Sequence, residues 1–492
     1  MMVAKRSPEK QDVMSSKKLK VADDNDNGVI RNKSELEKSQ SKKKNESILI
    51  NPELEVKVEV DQKRREQLNS SANLVRVFAS ECFTLHSPNV ISYTHCGQVP
   101  HITADLCSSE VNGDFSIVPL HSIFNSVKVL GKLGKTLSQF VNTKNKIILN
   151  PFDSSEPCDL TSFNDQLSMS VWGKGGNKKV TSKDYIEIIK VCQPEMFVSL
   201  SDVVPSTVSK KRANKSCYRT LRWVTEAITH LSDSNEMTSR LLAPIPGSGD
   251  RQLMMKSAYL LATRQVFGYV IERATLPREG WEDLVKDIIS ILPPSRPVFM
   301  LGVLNELEMV QAHNCGCHFV DSSFALQYSN KGQAMALNTL KPSKLPDPSQ
   351  LDNLTSEKPS EDFGPSLAVN VPQQISGESD NKKRKGKETQ NGRNLIFKAE
   401  DYMPTKSLTL DLKSPVYTRQ FYKMVEDCQC FSCTRHTRGY INHLLITREL
   451  LAPTLLMLHN VYHVRNVVNV VKMKVNEGVL AEYKKELQEV FS

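Results

Sequence analysis

The sequence predicts an α/β fold built from parallel βα units, with a metal-stapled C-terminal region. Two observations carry this. Strand-like and helix-like stretches alternate between about residues 180 and 325, and three cysteines and a histidine near the C-terminus have the spacing of a closed metal site. A third observation sets the limits: two long polar segments interrupt the chain and cannot contribute to a core.

The first segment covers residues 1–71. It is rich in Lys, Ser, Asn, Asp and Glu and poor in aromatics, a composition that predicts a disordered charged tail. Its basic runs, Lys17-Lys18-Leu19-Lys20 and Lys42-Lys43-Lys44, read either as a nuclear address or as solvated tail. From residue 72 to about 180 the pattern is less regular, with one clear strand at Val90-Ile91-Ser92-Tyr93. Thr181-Ser182-Lys183-Asp184 then forms a capping box that opens a helix running to Val191. Strands are predicted at 196–200, 241–245, 266–271, 297–303 and 318–320. Helices are predicted at 216–230, 251–264, 281–292 and 306–313, with Leu221, Val224 and Ile228 on one face of the first. This rhythm fits either a doubly wound sheet or a (β/α)8 barrel. No G-x-G-x-x-G follows an early strand, which counts against a dinucleotide fold. Residues 341–395, full of Pro, Ser, Asp and Asn and carrying Lys382-Lys383-Arg384-Lys385, predict a disordered insertion.

The metal-like motif is Cys428-Gln-Cys430-Phe-Ser-Cys433, followed by His459: C-x-C-x2-C-x25-H. Three thiolates and one imidazole are the ligand set of a closed tetrahedral zinc site, with no open position for water. Buried free thiols or a disulfide are the competing readings. Eleven scattered cysteines, an odd number, fit ligand cysteines in a reducing compartment better than a disulfide framework. Cys315-Gly-Cys317-His318 is a rival cluster without an evident distant fourth ligand. Cys82, Cys96, Cys107, Cys158, Cys192 and Cys217 read as ordinary small residues. The net charge of +9 permits contact with nucleic acid without requiring it. No run of eighteen apolar residues exists, so no membrane-spanning helix is expected, and the start of the chain lacks the apolar core of a signal peptide.

The zinc spacing followed by Arg438-Gly-Tyr440-Ile441-Asn-His443-Leu444 resembles the C-terminal signature of tRNA-guanine transglycosylases. The run Gly302-Val303…Val320-Asp321-Ser322…Gly332-Gln333-Ala334 is similar to their nucleophile region, and Lys183-Asp184-Tyr185-Ile186-Glu187-Ile188 to their mid-barrel helix. The resemblance covers about 80–340 and 395–492. It implies a (β/α)8 TIM-type barrel with a C-terminal zinc-binding subdomain. Residues 72–340 would form the main part of the barrel, and 396–492 its completion together with a zinc-binding helical subdomain. The family exchanges guanine at the tRNA wobble position for a 7-deazaguanine base. One aspartate attacks the ribose, a second in an Asp-Ser-Gly-Gly-Tyr-Gln element moves a proton, and a glutamine and a Gly-Gly pair hold the base.

Carried over residue by residue, the resemblance departs from a working site. Asp321 falls on the nucleophile's position, but Ser322-Ser323-Phe324-Ala325 follows it instead of Pro-Thr-Arg. The nearest echo of the acid/base element is Asp153-Ser154-Ser155. Asp202 aligns with a base-binding aspartate, or else caps a helix. Pro244-Ile245-Pro246-Gly247 lacks the glutamine, and Glu272-Arg273 replaces the glycine pair, which predicts two charged side chains where a base would lie. Losing one member of a cooperating catalytic set costs orders of magnitude in rate.

The resemblance therefore implies a noncatalytic branch of the family, with Asp321 vestigial and one structural Zn2+ held by Cys428, Cys430, Cys433 and His459. The implied partners are a catalytic subunit, in a heterodimer acting on tRNAs with GUN anticodons (Asp, Asn, His, Tyr), and tRNA itself; self-association stays open. The implied location is the cytoplasm, with peripheral association with the mitochondrial outer membrane. Lys210, Lys211, Arg212, Lys215, Arg219 and Arg222 fit either tRNA phosphates or a solvated helix face. Three alternatives stand beside this reading: an active transglycosylase using Asp321, a zinc-containing binding module, and a queuine salvage factor.

Overall fold

The computed structural model describes residues 60–68, 74–80, 83–103, 105–106, 113–155, 163–173, 175–231, 240–337 and 408–491. The tail up to residue 59, the insertion 341–395, the basic runs near residues 17, 42 and 382, and Cys82, Cys107 and Cys158 lie outside the described residues.

Parallel βα units close here into a barrel and not an open sheet. Its strands are β1 (Asn89–Tyr93), β2 (Phe115–Pro119), β3 (Lys146–Asn150), β4 (Met196–Val198), β5 (Leu241–Pro244), β6 (Gly268–Glu272), β7 (Val298–Leu301) and β8 (Phe319–Asp321). Each pairs in parallel with its neighbours, and Val320 opposite Val90 closes the ring between β8 and β1. Side chains alternate along a strand, so every second residue points inward. Ile91, Ile117, Ile148, Val198, Leu242, Val270, Phe299 and Phe319 fill the interior. A hairpin of Arg76–Ala79 and Thr84–Ser87 adds Phe78, Phe83 and Leu85 to the same cluster and forms its floor.

The helices follow from capping and amphipathic spacing. Besides three short helices between β2 and β3 (Leu120–Ile123, Val127–Leu133 and Leu137–Phe140), they are α1 (Gln62–Leu68), α2 (Ser182–Cys192), α3 (Lys210–His230), α4 (Arg251–Ala262), α5 (Trp281–Ile291), α6 (Glu306–Asn314), α7 (Ser323–Lys331), α8 (Phe431–Arg435), α9 (Arg438–Ile446), α10 (Leu451–Glu477) and α11 (Leu480–Phe491). The Thr181/Asp184 capping box opens α2 as the sequence predicts. α3 starts six residues earlier than its apolar period suggests, because Ser209 caps its N-terminus and its first turn is polar. α1 lies inside the segment that composition assigns to the tail. Arg65 docks it onto α5 through Asp283 at 3.0 Å and the buried Asp287 at 3.2 Å. The chain leaves the described region after Gln333–Met335 and re-enters at Thr409–Asp411, and these two strands pair antiparallel. α10 packs against α6 and α7 and touches β1. Among the described residues no helix is long and apolar enough to cross a membrane.

Glu306, the first residue of α6, is fully buried, and neither of its carboxyl oxygens has a hydrogen-bond partner among the described residues. Burial pushes its carboxyl up from 4.5 to about 7. A raised acid binds its proton more tightly in the folded state, so its contribution is complete below about pH 4.5 and is lost as pH rises toward 7. The span is worth roughly 3 kcal/mol at most. Thermal unfolding of Glu306→Gln should show a stability gain over the parent that grows between pH 5 and pH 8. A pH-independent difference would contradict this.

Candidate functional site

The C-terminal cysteines meet their histidine because two helices place them. Cys430 is the N-cap of α8, and its Sγ accepts the backbone N–H of Cys433 at 3.3 Å. A helix N-terminus favours a thiolate there. Ser432 donates to Leu455 O at 2.7 Å and ties α8 to α10, which carries His459. His459 Nε2 donates to Met335 O at 2.8 Å, which turns Nδ1 toward the sulfurs. That nitrogen lies 3.7, 3.4 and 3.3 Å from the Sγ atoms of Cys428, Cys430 and Cys433. A tetrahedral Zn2+ with ordinary bond lengths would set each of these edges at about 3.6 Å. All four ligand atoms lie within 4.8 Å of one another and are buried. The donor set and its spacing therefore fit one metal ion. Asn460 anchors the strand that supplies Met335: its Oδ1 accepts Met335 N at 2.9 Å and its Nδ2 donates to Gln333 O at 3.0 Å.

The flanking motif clamps this subdomain. Arg438 donates to the carbonyls of Lys423 and Met424 and to Gln420 Oε1, and its guanidinium lies over the ring of Tyr422. Asn442 donates to Leu412 O at 2.8 Å and Ser414 O at 3.0 Å. A Cβ on Gly439 would press on main-chain carbonyls, meeting Thr418 O at 3.0 Å and Gln420 O at 3.1 Å.

The rival cluster does not assemble. Cys315 and Cys317 are buried free thiols, and burial pushes both up, away from the thiolate that a ligand needs. His318 Nδ1 instead accepts Val298 N at 3.1 Å. Among the described residues the Cys428/Cys430/Cys433/His459 group is the one set of three or more that could hold a metal.

At the C-terminal end of the strands, Asp321 is sealed. It has no exposed surface. Ser154 Oγ donates to its Oδ2 at 2.6 Å, and Gly302 N donates to its Oδ1 at 2.8 Å. Gly302 has φ +77°, a conformation that glycine adopts without strain, and this aims its N–H at the carboxyl. Burial raises the Asp321 carboxyl, and the hydrogen bonds only partly offset this. Glu272, the last residue of β6, is 3% exposed. Burial holds its carboxyl well above the ordinary value, and the charge of Asp321 raises it further. Two acids in one dry space cannot both ionise cheaply, so each holds the other's carboxyl away from the charged form.

The structure brings Asp153-Ser154 beside Asp321, as the sequence echo suggested, but both side chains are engaged. Tyr93 OH donates to Asp153 at 2.9 and 3.0 Å, Ser155 donates through N and Oγ, and His121 Nε2 lies 3.6 Å away. Three expectations are corrected. Arg273 does not fill the base space: it turns to Glu308 at 2.6 Å and lies over Trp281, leaving Glu272 alone facing inward. Asp202 caps no helix: Arg212 grips it in a fork at 2.7 and 2.8 Å, Arg219 adds a contact at 2.9 Å, and Asn164 donates to it as well. Arg212 and Arg219 are therefore not offered to phosphates, while Arg222 pairs with Glu226 at 2.7 Å. Lys210, Lys211 and Lys215 remain exposed. The pairing of Arg212 and Arg219 with a residue upstream of their helix left no signal in local sequence.

A closed (β/α)8 barrel with a C-terminal Cys3His subdomain defines the class. A family model described as queuine tRNA-ribosyltransferase matches residues 76–492, and the chain belongs to that family. Within it, the chain is similar to proteins named queuine tRNA-ribosyltransferase accessory subunit 2. That of Trichoplax adhaerens is 29% identical over 383 residues, 77% of this chain and 86% of the relative. That of Danio rerio is 26% identical over 410 residues, 82% and 91% of the two chains, and that of Homo sapiens 25% over 416 residues, 82% and 92%.

Removing one ligand should collapse the C-terminal subdomain, since a bound structural metal can contribute on the order of 10 kcal/mol of apparent folding free energy. Cys433→Ser should bind less than one equivalent of metal by elemental analysis and lose a cooperative unfolding transition. Full metal content with unchanged unfolding would contradict the site.

Proposed function

We propose that this chain is the noncatalytic accessory subunit of a queuine tRNA-ribosyltransferase. Its partner is the catalytic subunit of that enzyme, and together they exchange guanine for queuine at the wobble position of tRNAs with GUN anticodons. The metal is one Zn2+ on Cys428, Cys430, Cys433 and His459, and its role is structural. It supplies folding energy and no reaction step, because four protein ligands leave no position for water. Cytoplasmic residence, with peripheral attachment to the mitochondrial outer membrane, belongs to the same reading.

The single observation that carries the noncatalytic reading is the state of Asp321. A carboxylate nucleophile must present an oxygen to the carbon it attacks. Asp321 presents none: it is fully buried, both oxygens accept hydrogen bonds, and Glu272 sits against it. Asp321 is thus an inherited strand-end residue with a packing role. The same burial argues against the active-enzyme and queuine-carrier alternatives, since either would need a base-sized opening.

The surface of the metal-bearing subdomain supports the partner reading. Phe421 is 77% exposed, Leu450 87% and Ile446 60%. Large apolar side chains gathered in one subdomain favour a protein partner over water. Exposed Lys210, Lys211 and Lys215 on α3 are available to tRNA phosphates, a contact that adds affinity without reading sequence.

The test is exchange of labelled guanine into tRNA, with this chain alone, the catalytic subunit alone, and both together, alongside native mass spectrometry of the mixture. Activity is expected only in the mixture, or far more of it there, together with a one-to-one complex. Exchange by this chain alone, or separate species in the mixture, would overturn the proposal.

A further inference from the structure

His463 lies one turn beyond His459 on α10 and is not one of the four clustered ligands. Residues four apart share a face of a helix, and two histidines at that spacing can reach one metal ion from a single helix. His459-Asn-Val-Tyr-His463 has this spacing. The two rings touch: their centroids are 4.3 Å apart and their planes are tilted by 44°. The sulfur of Cys433 is near enough for its charge to act on the His463 ring.

The nitrogens of His463 are a second, independent observation. The residue is 5% exposed, yet neither Nδ1 nor Nε2 has a hydrogen-bond partner among the described residues. Buried polar atoms are ordinarily paired. The other buried histidines obey this at one nitrogen or both. His459 Nε2 donates to Met335 O, His313 Nδ1 lies 2.9 Å from Cys317 O, and His318 Nδ1 accepts Val298 N. A neutral imidazole carries one N–H and one lone pair. The lone pair of His463 is thus a buried donor atom for a metal, set against a metal ligand and engaged by nothing else among the described residues.

We propose that His463 is a reserve ligand of the metal site, able to take the corner that His459 holds at rest. The inference rests on the zinc assignment made above. The exchange replaces one neutral nitrogen donor by another: the bond to His459 Nδ1 breaks, and one forms to the lone pair of His463. The charge of the site does not change, and no proton moves. His463 keeps its N–H on the other nitrogen, and His459 keeps the Nε2–H that donates to Met335 O. A site closed by four buried ligands has no vacant position through which an ion could arrive or leave. A second imidazole on the same helix face supplies one without admitting water.

The test uses the full-length chain and its His459→Ala, His463→Phe and doubly substituted variants. Each is loaded with Co2+, whose visible spectrum distinguishes three sulfurs and a nitrogen from three sulfurs and an oxygen. The parent should bind one equivalent with the nitrogen-type spectrum. His459→Ala should keep that spectrum and one equivalent, with affinity lowered about tenfold, whereas the double variant should turn to the oxygen type and weaken by roughly a further hundredfold. His463→Phe retains a ring and all four resting ligands, so it carries the test if the His459 variants fail to fold by circular dichroism. Its metal content should match the parent's, and it should surrender Zn2+ to a chelator several-fold more slowly. An oxygen-type spectrum in folded His459→Ala, equal affinity of the single and double variants, or a release rate unaltered by His463→Phe would overturn the proposal. A parent chain that binds no metal would overturn the zinc assignment and this inference with it.

Discussion

Three sulfurs converging on His459 Nδ1 hold the C-terminal half of this molecule together. Cys428, Cys430 and Cys433 lie in a short loop and a five-residue helix, buried in a cluster with Met424, Ile441 and Leu455. His459 sits on the 27-residue α10, which packs on the barrel against α6, α7 and β1. Without a shared metal, three thiolates would repel one another in a dry space and loosen the loop. One ion on these four ligands would fix the loop to the helix, while hydrogen bonds tie the helix to the strand of Met335 and that strand to its partner across the polar insertion. Arg438, Gly439 and Asn442 then shape the surface around the cluster.

The barrel mouth has been spent in the opposite direction. A working nucleophile needs an ionised, reachable oxygen, and the dry interior raises the energy of an ionised carboxyl. Here the interior closes on Asp321 from two sides, with Ser154 and Gly302 as donors and Glu272 in place of open space. Asp202 is likewise converted from a ligand-facing acid to an internal one by Arg212 and Arg219. Each change exchanges substrate contact for internal satisfaction. The result is a barrel end whose acids are satisfied from within.

Much of this was legible in sequence, for identifiable reasons. Ligand spacing is local, so C-x-C-x2-C-x25-H named its four residues directly. The strands and helices from Thr181 to Asp321 follow apolar periods and capping residues, which are local as well. Closure into a barrel was not legible from rhythm alone, because an open sheet has the same rhythm; it rested on the family resemblance. What escaped is long-range pairing. Arg273 turning to Glu308, Arg212 and Arg219 reaching Asp202, and Arg65 ordering a helix inside a tail-like segment each depend on partners 10 to 222 positions away in the chain. The start of α3 was missed for a simpler reason: its first turn is polar, and only its Ser209 cap marks it.

The central claim is that Asp321 has no access to anything outside the barrel. Carbodiimide labelling of the folded, metal-loaded chain, read by peptide mass spectrometry, measures that access directly. Asp321 and Glu272 should stay unmodified while Glu187, whose side chain is 61% exposed, is labelled. Labelling of Asp321 at a rate comparable with Glu187 would contradict a sealed mouth.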